Sequence, residues 1–215
     1  APDLLMSTHS SPFLPSWLGR ALVEGVLILF AVVLGFIVNE WREDVADQRA
    51  AEAAMGRVVA EIEANIEALE DVVAYHEEVV ERISARVAEI EASPEPVESV
   101  LFDEFPRVLP RGVNAPGLSR FAWEHAQQHG RLNVLPYERV SEVARIYEMQ
   151  AYGVESTWRQ IVDLLFSGPQ IMSSQDLVPS LRFTQIGFTE LASQERFLIN
   201  QYQRLLVEMG EAEQG

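Results

Sequence analysis

Residues Ala21 to Val38 read ALVEGVLILFAVVLGFIV, an apolar run of 18 residues interrupted by a single charge, Glu24. No other feature restricts the fold of this chain so tightly. At about 1.5 Å per residue, such a helix nearly crosses a hydrocarbon core of about 30 Å. Backbone polar groups inside lipid must be satisfied within the segment, so the run is expected to be helical throughout. Trp17 and Trp41 flank it where an aromatic belt sits. The competing readings are a helix buried in a water-soluble core and a cleaved signal peptide. The second is disfavoured because no small-residue cleavage site follows the run. An initiator Met is normally removed before a small residue such as Ala1, so an uncleaved N-terminus is the expectation.

Glu24 lies one turn inside the run. An ionisable residue at that depth is a functional candidate by default, yet Arg20 stands four residues earlier and both side chains can reach the interface. Interfacial anchoring is the expected role of both, over proton or ion handling. Ala21/Gly25 and Ala31/Gly35 have the small-xxx-small spacing that lets a second helix approach closely. The expected membrane anchor is therefore Trp17, Arg20, Glu24, Gly25, Gly35 and Trp41. Two charge counts bear on orientation, and they conflict. Arg42 and Arg49 outnumber Arg20, which by arginine count alone places the following domain inside. Residues 40–54 nevertheless carry a net −3, whereas the short N-terminal tail is near neutral or positive. The expectation is tail inside and domain outside, in the periplasm of a bacterial inner membrane.

Charge narrows the partners. The 215 residues hold 33 Asp and Glu against 16 basic residues, all of them Arg, for a formal charge of −17. Nucleic acid is not an expected partner, since binding phosphates needs clustered cations. The extramembrane part is not expected to lie on an anionic lipid surface either. Residues 40–104 contain 19 acids and five arginines, a net of −14. This concentration reads as a solvated helix face, with a surface for a basic partner as the sharper alternative. The absence of cysteine excludes a disulfide framework, a thiolate metal site and a cysteine nucleophile.

From Trp41 to Glu91 the chain has no Pro and only one Gly, Gly56. Apolar positions recur at Met55, Val59, Ile62, Ile66, Leu69, Val73, His76, Val80, Ile83, Val87 and Ile90, in intervals of four and three. The expected bundle core is Val59, Ile62, Ile66, Leu69, Val73, Val80, Ile83 and Val87. Glu63, Glu70 and Glu77 occupy one flank of this stripe and Val58, Val72 and Val79 the other. A parallel homodimer would set glutamates against valines without salt bridges, so partners from the same chain are favoured over a homodimer. His76 is expected to be a core histidine with a hydrogen-bond partner rather than a ligand or a pH switch.

Ser93-Pro94-Glu95-Pro96 cannot continue a helix. Five segments are expected: an N-terminal tail (1–19), a transmembrane helix (20–39), a long acidic heptad helix (40–92), an irregular connection (93–135) and two further bundle helices with a C-terminal tail (136–215). The connection should enclose one short helix, about Leu118 to His129. The later helices should run from about Tyr137 to Phe166, stopped by Gly168-Pro169, and from about Pro179 to Met209. Their marks are Val140, Val143, Tyr147, Val154, Trp158, Ile161 and Leu165, then Phe188, Leu191, Leu198, Tyr202, Leu205 and Met209. The expected fold class is all-α: a single transmembrane helix continuing into a long helix, with an antiparallel extramembrane helical bundle. Anchor and heptad helix together would make one helix of about 70 residues, or about 105 Å. There is no internal repeat or low-complexity tract.

Two stretches carry a resemblance. EGVLILFAVVLGFIVNEW, with Glu24, Asn39 and Trp41, resembles the Glu-led span ending in Asn-x-Trp of a bacterial family of uncharacterised single-span membrane proteins. AWEHAQQHGRLNVLPYERVSEVARIYE, from Ala122 to Glu148, is similar to that family's later pattern at Trp123, Glu124, Gly130, Leu132 and Tyr147. The resemblance implies the single-span, helical-domain architecture and no known chemistry. Members usually have a strongly basic N-terminal tail, which implies tail inside and domain outside. This chain lacks those basic residues.

Residues in patterns that support chemistry are few. His125 and His129 stand at i, i+4 beside Glu124, a spacing able to hold zinc, but the His-Glu-x-x-His order and a nearby third ligand are missing. They are weak metal candidates on a surface helix; His9 lies in the tail. No Gly-rich phosphate loop, nucleophile elbow or Ser/His/Asp arrangement is present. The span has no His to ligate a haem or chlorophyll. No cofactor and no catalysis are expected. The expected role is a non-catalytic accessory or scaffold subunit of a larger bacterial membrane protein complex, with the lipid bilayer as its other partner. One host of that kind is a photosynthetic reaction-centre and light-harvesting assembly. The alternative is a single-span sensor or signalling partner with an extracytoplasmic helical domain.

Overall fold

The computed structural model describes residues 16–167 and 177–212. Its elements are α1 (Ser16–Ala92), α2 (Leu101–Val108), α3 (Phe121–Gln128), α4 (Tyr137–Met149), a π-helical turn (Gln150–Val154), α5 (Glu155–Ser167) and α6 (Leu177–Ala212). The protein is all-α, with no strand among the described residues. Residues 1–15 of the expected tail, His9 included, lie outside the described residues, as does the Gly168-Pro169 stop. The chain divides into two compact units, Ala1–Arg49 and Ala50–Gly215.

In the first unit α1 begins at Ser16, four residues ahead of the expected start of the span. Its apolar run is long and apolar enough to cross a membrane by length and composition. The large apolar side chains from Leu22 to Val38 are 46–72% exposed. About five turns of leucine, valine, isoleucine and phenylalanine are thus left uncovered by the rest of the chain, unlike the mostly buried core helix of a water-soluble protein.

In the second unit two stripes dominate. On α1 the buried positions are Ala51, Met55, Val58, Ile62, Asn65, Leu69, Val72, His76, Val79 and Ile83, all at most 6% exposed. On α6 they are Leu177, Leu181, Thr184, Phe188, Leu191, Glu195, Leu198, Tyr202, Leu205 and Met209, again at most 6% exposed. Both alternate in steps of four and three, the period of helices packed nearly side by side. The α1 stripe corrects the sequence expectation. Ile62, Leu69, Val73, Ile83 and Val87 are buried, but Val59, Ile66 and Val80 are only partly buried against the core. The register of Val58, Val72 and Val79, expected on a flank, is the interior one. Asn65 occupies that register, and a polar residue there hides it from a search for apolar repeats.

Polar pairs fix the directions of the helices. Glu52 meets Arg139, Glu61 meets Tyr147 and Asn65 meets Gln150, so α1 and α4 advance together and are parallel. Asn65 meets Tyr202, His76 meets Glu195 and Glu91 meets Arg182, so α6 runs antiparallel to α1. The connection from Ser93 to Pro136 descends α1 between them. It is held at Arg86 by Glu104, at Tyr75 by Gly112, at Asn65 by Ser119 and at Glu61 by Ala122. The unit is therefore an up-down-up-down arrangement whose second member is mostly irregular chain. Consecutive members are antiparallel as expected, whereas α1 and α4 are not.

That connection holds two short helices rather than the one expected. α2 is LFDEFPRV, with Pro106 inside. Proline removes one N–H and disfavours a long helix, but α2 is anchored by tertiary contacts instead. Leu101 and Val108 are buried, and Glu104 takes a forked pair of hydrogen bonds from Arg86 Nε at 2.8 Å and Nη2 at 2.9 Å. The Arg86 guanidinium holds the Glu104 carboxyl below its ordinary pKa. α3 ends as its sequence dictates. Gly130 is left-handed, its N–H donates to Gln127 O, and Arg131 N–H donates to Ala126 O, the six-to-one closure of a Schellman motif. Between α5 and α6, a Cβ on Gly187 would stand 3.2 Å from Ile161 Cγ1, so glycine there permits the close crossing.

Candidate functional site

Among the described residues six polar or charged side chains are buried, and four of them, Asn65, His76, Gln150 and Glu195, cluster at two levels of the core. The upper level is centred on His76, fully buried with Glu195. Nδ1 of His76 lies 3.0 and 2.9 Å from the two Glu195 oxygens. Nε2 lies 3.0 Å from Val113 O and 3.1 Å from Asn114 O. Carbonyl oxygens only accept, which fixes a proton on Nε2. A second proton lies between Nδ1 and the carboxyl, so the pair is net neutral whichever partner holds it. Burial pushes the Glu195 pKa up, against the pull of His76. The loop that supplies the carbonyls is shaped by two left-handed residues, Gly112 and Asn114. Tyr75 beside it donates to Gly112 O at 2.6 Å, accepts from Arg111 N–H at 3.1 Å, and carries the Arg111 guanidinium 4.5 Å over its ring. Tyr75 and His76 thus pin residues 111–114 onto α1.

The lower level joins α1, the connection, the π-helical turn, α5 and α6. Tyr202 O–H donates to Gln150 Oε1 at 2.6 Å, and Gln150 Nε2 donates to Glu155 Oε1 at 2.8 Å. Asn65 Nδ2 donates to Ser119 O at 2.7 Å, while Ser119 N–H returns a bond to Asn65 Oδ1 at 2.8 Å. One turn away, Glu61 accepts from Ser119 Oγ, Ala122 N–H, Trp123 N–H and Tyr147 O–H. Ala122 and Trp123 are in the first turn of α3, so Glu61 caps that helix from α1, where its charge also meets the favourable end of the helix dipole. Trp123 stacks on Tyr147 at 5.5 Å with rings 4° apart. Burial alone would raise the Glu61 pKa, but the four hydrogen bonds outweigh it and hold the value below the ordinary 4.5. Burial, and the neighbouring Glu61 carboxylate, push the Tyr147 hydroxyl well up.

Glu61→Ala strips two first-turn N–H groups of their acceptor and should cost about 1–2 kcal/mol, measured by urea unfolding of the full chain. Because the folded pKa is lowered, ionised Glu61 stabilises the fold above pH 4.5. That contribution is lost as pH falls through the folded pKa. Glu61→Gln should therefore flatten the acid side of the stability profile, and an unchanged acid slope would contradict the cap.

The sequence candidates fall elsewhere. Arg20, Glu24, Gly25, Gly35, Trp17 and Trp41 are all exposed on the first part of α1. Arg20 and Glu24 form no ion pair with each other. His125 and His129 are exposed on and just beyond α3, with ring centroids 4.2 Å apart. Phe121 stacks on His125, and His129 Nδ1 lies 2.9 Å from His125 O. Glu124 is taken by Arg120 at 2.8 Å. Among the described residues no group of three His, Cys, Asp or Glu is placed to hold a metal ion. Surface grooves are shallow. One of about 250 Å3 lies between Ala115, Pro116, Glu155, Trp158 and Arg159, and another of about 360 Å3 follows α1 and α6 from Glu70 to Asn200.

No protein-family model, curated protein or solved structure matches this chain. The resemblance to the single-span family accordingly rests on the residues quoted for it, and function must be argued from the molecule itself.

Proposed function

We propose that this chain is a non-catalytic accessory subunit, anchored by a single span in a bacterial inner membrane and serving a larger membrane protein complex, with its bundle in the periplasm. The observation that carries the reading is a contrast within one chain. An exposed apolar helix needs lipid, while the bundle's buried titratable groups are consumed by structural bonds. His76 and Glu195 hold a loop, Glu61 caps α3 and Glu104 docks α2. None of them faces a cleft as a general acid, base or nucleophile would.

Gentle detergent extraction followed by native electrophoresis tests this. The protein should run with a complex far above the 24.2 kDa of these 215 residues. Migration alone, or as a dimer, would remove the proposal's support. If the host is a photosynthetic reaction-centre and light-harvesting assembly, pigment absorbance should travel in the same band. Proteolysis of intact spheroplasts tests the orientation, since a periplasmic bundle is digested and a cytoplasmic one survives.

One observation favours the second reading, a single-span sensor. The π-helical turn Gln150–Val154 sits where a polar network ties α1, the connection, the turn and α6 together, and such turns recur at functional sites. A sensor would run alone on the native gel and would show ligand-dependent protection of this turn in hydrogen exchange.

A further inference from the structure

The side chains of His125 and His129 take no part in the bonds that tie the bundle's elements together, yet both rings are set in place. Residues four apart share a helix face, and here the two ring centroids lie 4.2 Å apart. His129 Nδ1 lies 2.9 Å from His125 O. A carbonyl only accepts, so Nδ1 carries the proton and Nε2 presents its lone pair. A metal-bound histidine is held in the same way, one ring nitrogen donating to a backbone carbonyl while the other faces the ion. The His125 ring is held by Phe121, stacked on it at 5.9 Å with planes 21° apart. Both histidines are exposed. Among the described residues no hydrogen bond engages His129 Nε2 or the ring nitrogens of His125.

We propose that His125 and His129 chelate one divalent first-row transition cation, Zn2+ or Cu2+, a role independent of the accessory one. Imidazole nitrogens suit these ions, whereas Mg2+ and Ca2+ take oxygen ligands. Two imidazoles bound to one ion at about 2.0–2.1 Å have centroids roughly 4.5–5 Å apart. The two rings reach that spacing by parting less than about 1 Å, through side-chain rotation at the surface. Glu124 is engaged by Arg120 at 2.8 Å, and among the described residues no third His, Cys, Asp or Glu completes the set. Water therefore fills the remaining positions. The ion ties His129, just past the last residue of α3, to the body of the helix and braces the turn that Gly130 closes.

Equilibrium dialysis of the purified full chain, carrying no polyhistidine tag, against micromolar ZnCl2 tests this, with far-ultraviolet circular dichroism as the check on folding. One zinc should bind per chain, and CuCl2 should bind tighter. His125→Ala and His129→Ala should each weaken binding by at least about tenfold, because one imidazole does not chelate. A third variant, His129→Gln with Gln127→His, keeps two histidines but sets them two residues apart, where they do not face each other. It should bind as weakly as the single variants. An excess of CaCl2 should leave the zinc in place. A wild type that binds no zinc overturns the proposal. So does zinc held undiminished by either single variant or by the respaced pair, or zinc displaced by calcium, since the ion would then sit elsewhere.

Discussion

Replacing His76 by leucine should lower the stability of the bundle by about 3–5 kcal/mol, because it leaves the Glu195 carboxyl buried with no partner. In a domain of this size that is a fall in Tm of roughly 10 °C. The loss has two parts, and a double-mutant cycle separates them. Glu195→Leu leaves a neutral imidazole still bonded through Nε2 to Val113 O and Asn114 O. Its cost should be smaller, about 1–3 kcal/mol for the one ring nitrogen left unpaired. The double variant should be more stable than His76→Leu alone, since it removes the orphaned carboxyl together with its partner. Hydrogen exchange should quicken at residues 111–114 in both His76 variants, where the anchor for the two carbonyls is gone. A His76→Leu protein that melts within about 2 °C of the wild type would show that the pair holds nothing together.

The pair also marks how far the sequence could be read. His76 is recognisable as a core histidine because it falls in the register of Ile62, Leu69 and Ile83. Its partner is not recognisable, for Glu195 lies 119 residues away in sequence. Glu195 takes a place in the α6 stripe where apolar repeats predict a leucine-like residue, and the same holds for Asn65 on α1. Each polar position is tolerated only because the facing helix brings a matching one, and that information belongs to the packing. The long helices are legible for the opposite reason: their period is local and repeats for many turns. α2 was hidden by Pro106, whose missing N–H matters less than the Arg86–Glu104 fork that docks the helix. The π turn was hidden too, because Gly153 alone among Gln150 to Val154 weakens a helix, and one glycine does not distinguish a π turn from an ordinary helix. A helix long and apolar enough to cross a membrane needs only composition, and the run from Ala21 to Val38 announces it.

The second large effect concerns that run. Leu29→Asp combined with Val33→Asp places two carboxylates near the middle of the span, each unfavourable by about 2.5–3.5 kcal/mol at a helix centre. Together they should reduce insertion so far that the protein leaves the carbonate-resistant membrane fraction. The same pair of changes at exposed bundle sites, such as Phe183 and Phe197 on α6, should leave the protein in the membrane. Retention of the Leu29/Val33 variant would mean that something other than this helix holds the chain there.

The chain contains no cysteine, so single introduced thiols can be placed without background. Gly19→Cys, Leu29→Cys and Glu43→Cys, labelled in sealed vesicles with a membrane-impermeant maleimide, report directly on where this helix sits. If it crosses the bilayer, Gly19→Cys and Glu43→Cys label from opposite sides and Leu29→Cys labels only after detergent is added. Labelling of both end positions from one side, or ready labelling of Leu29→Cys in intact vesicles, would contradict the account.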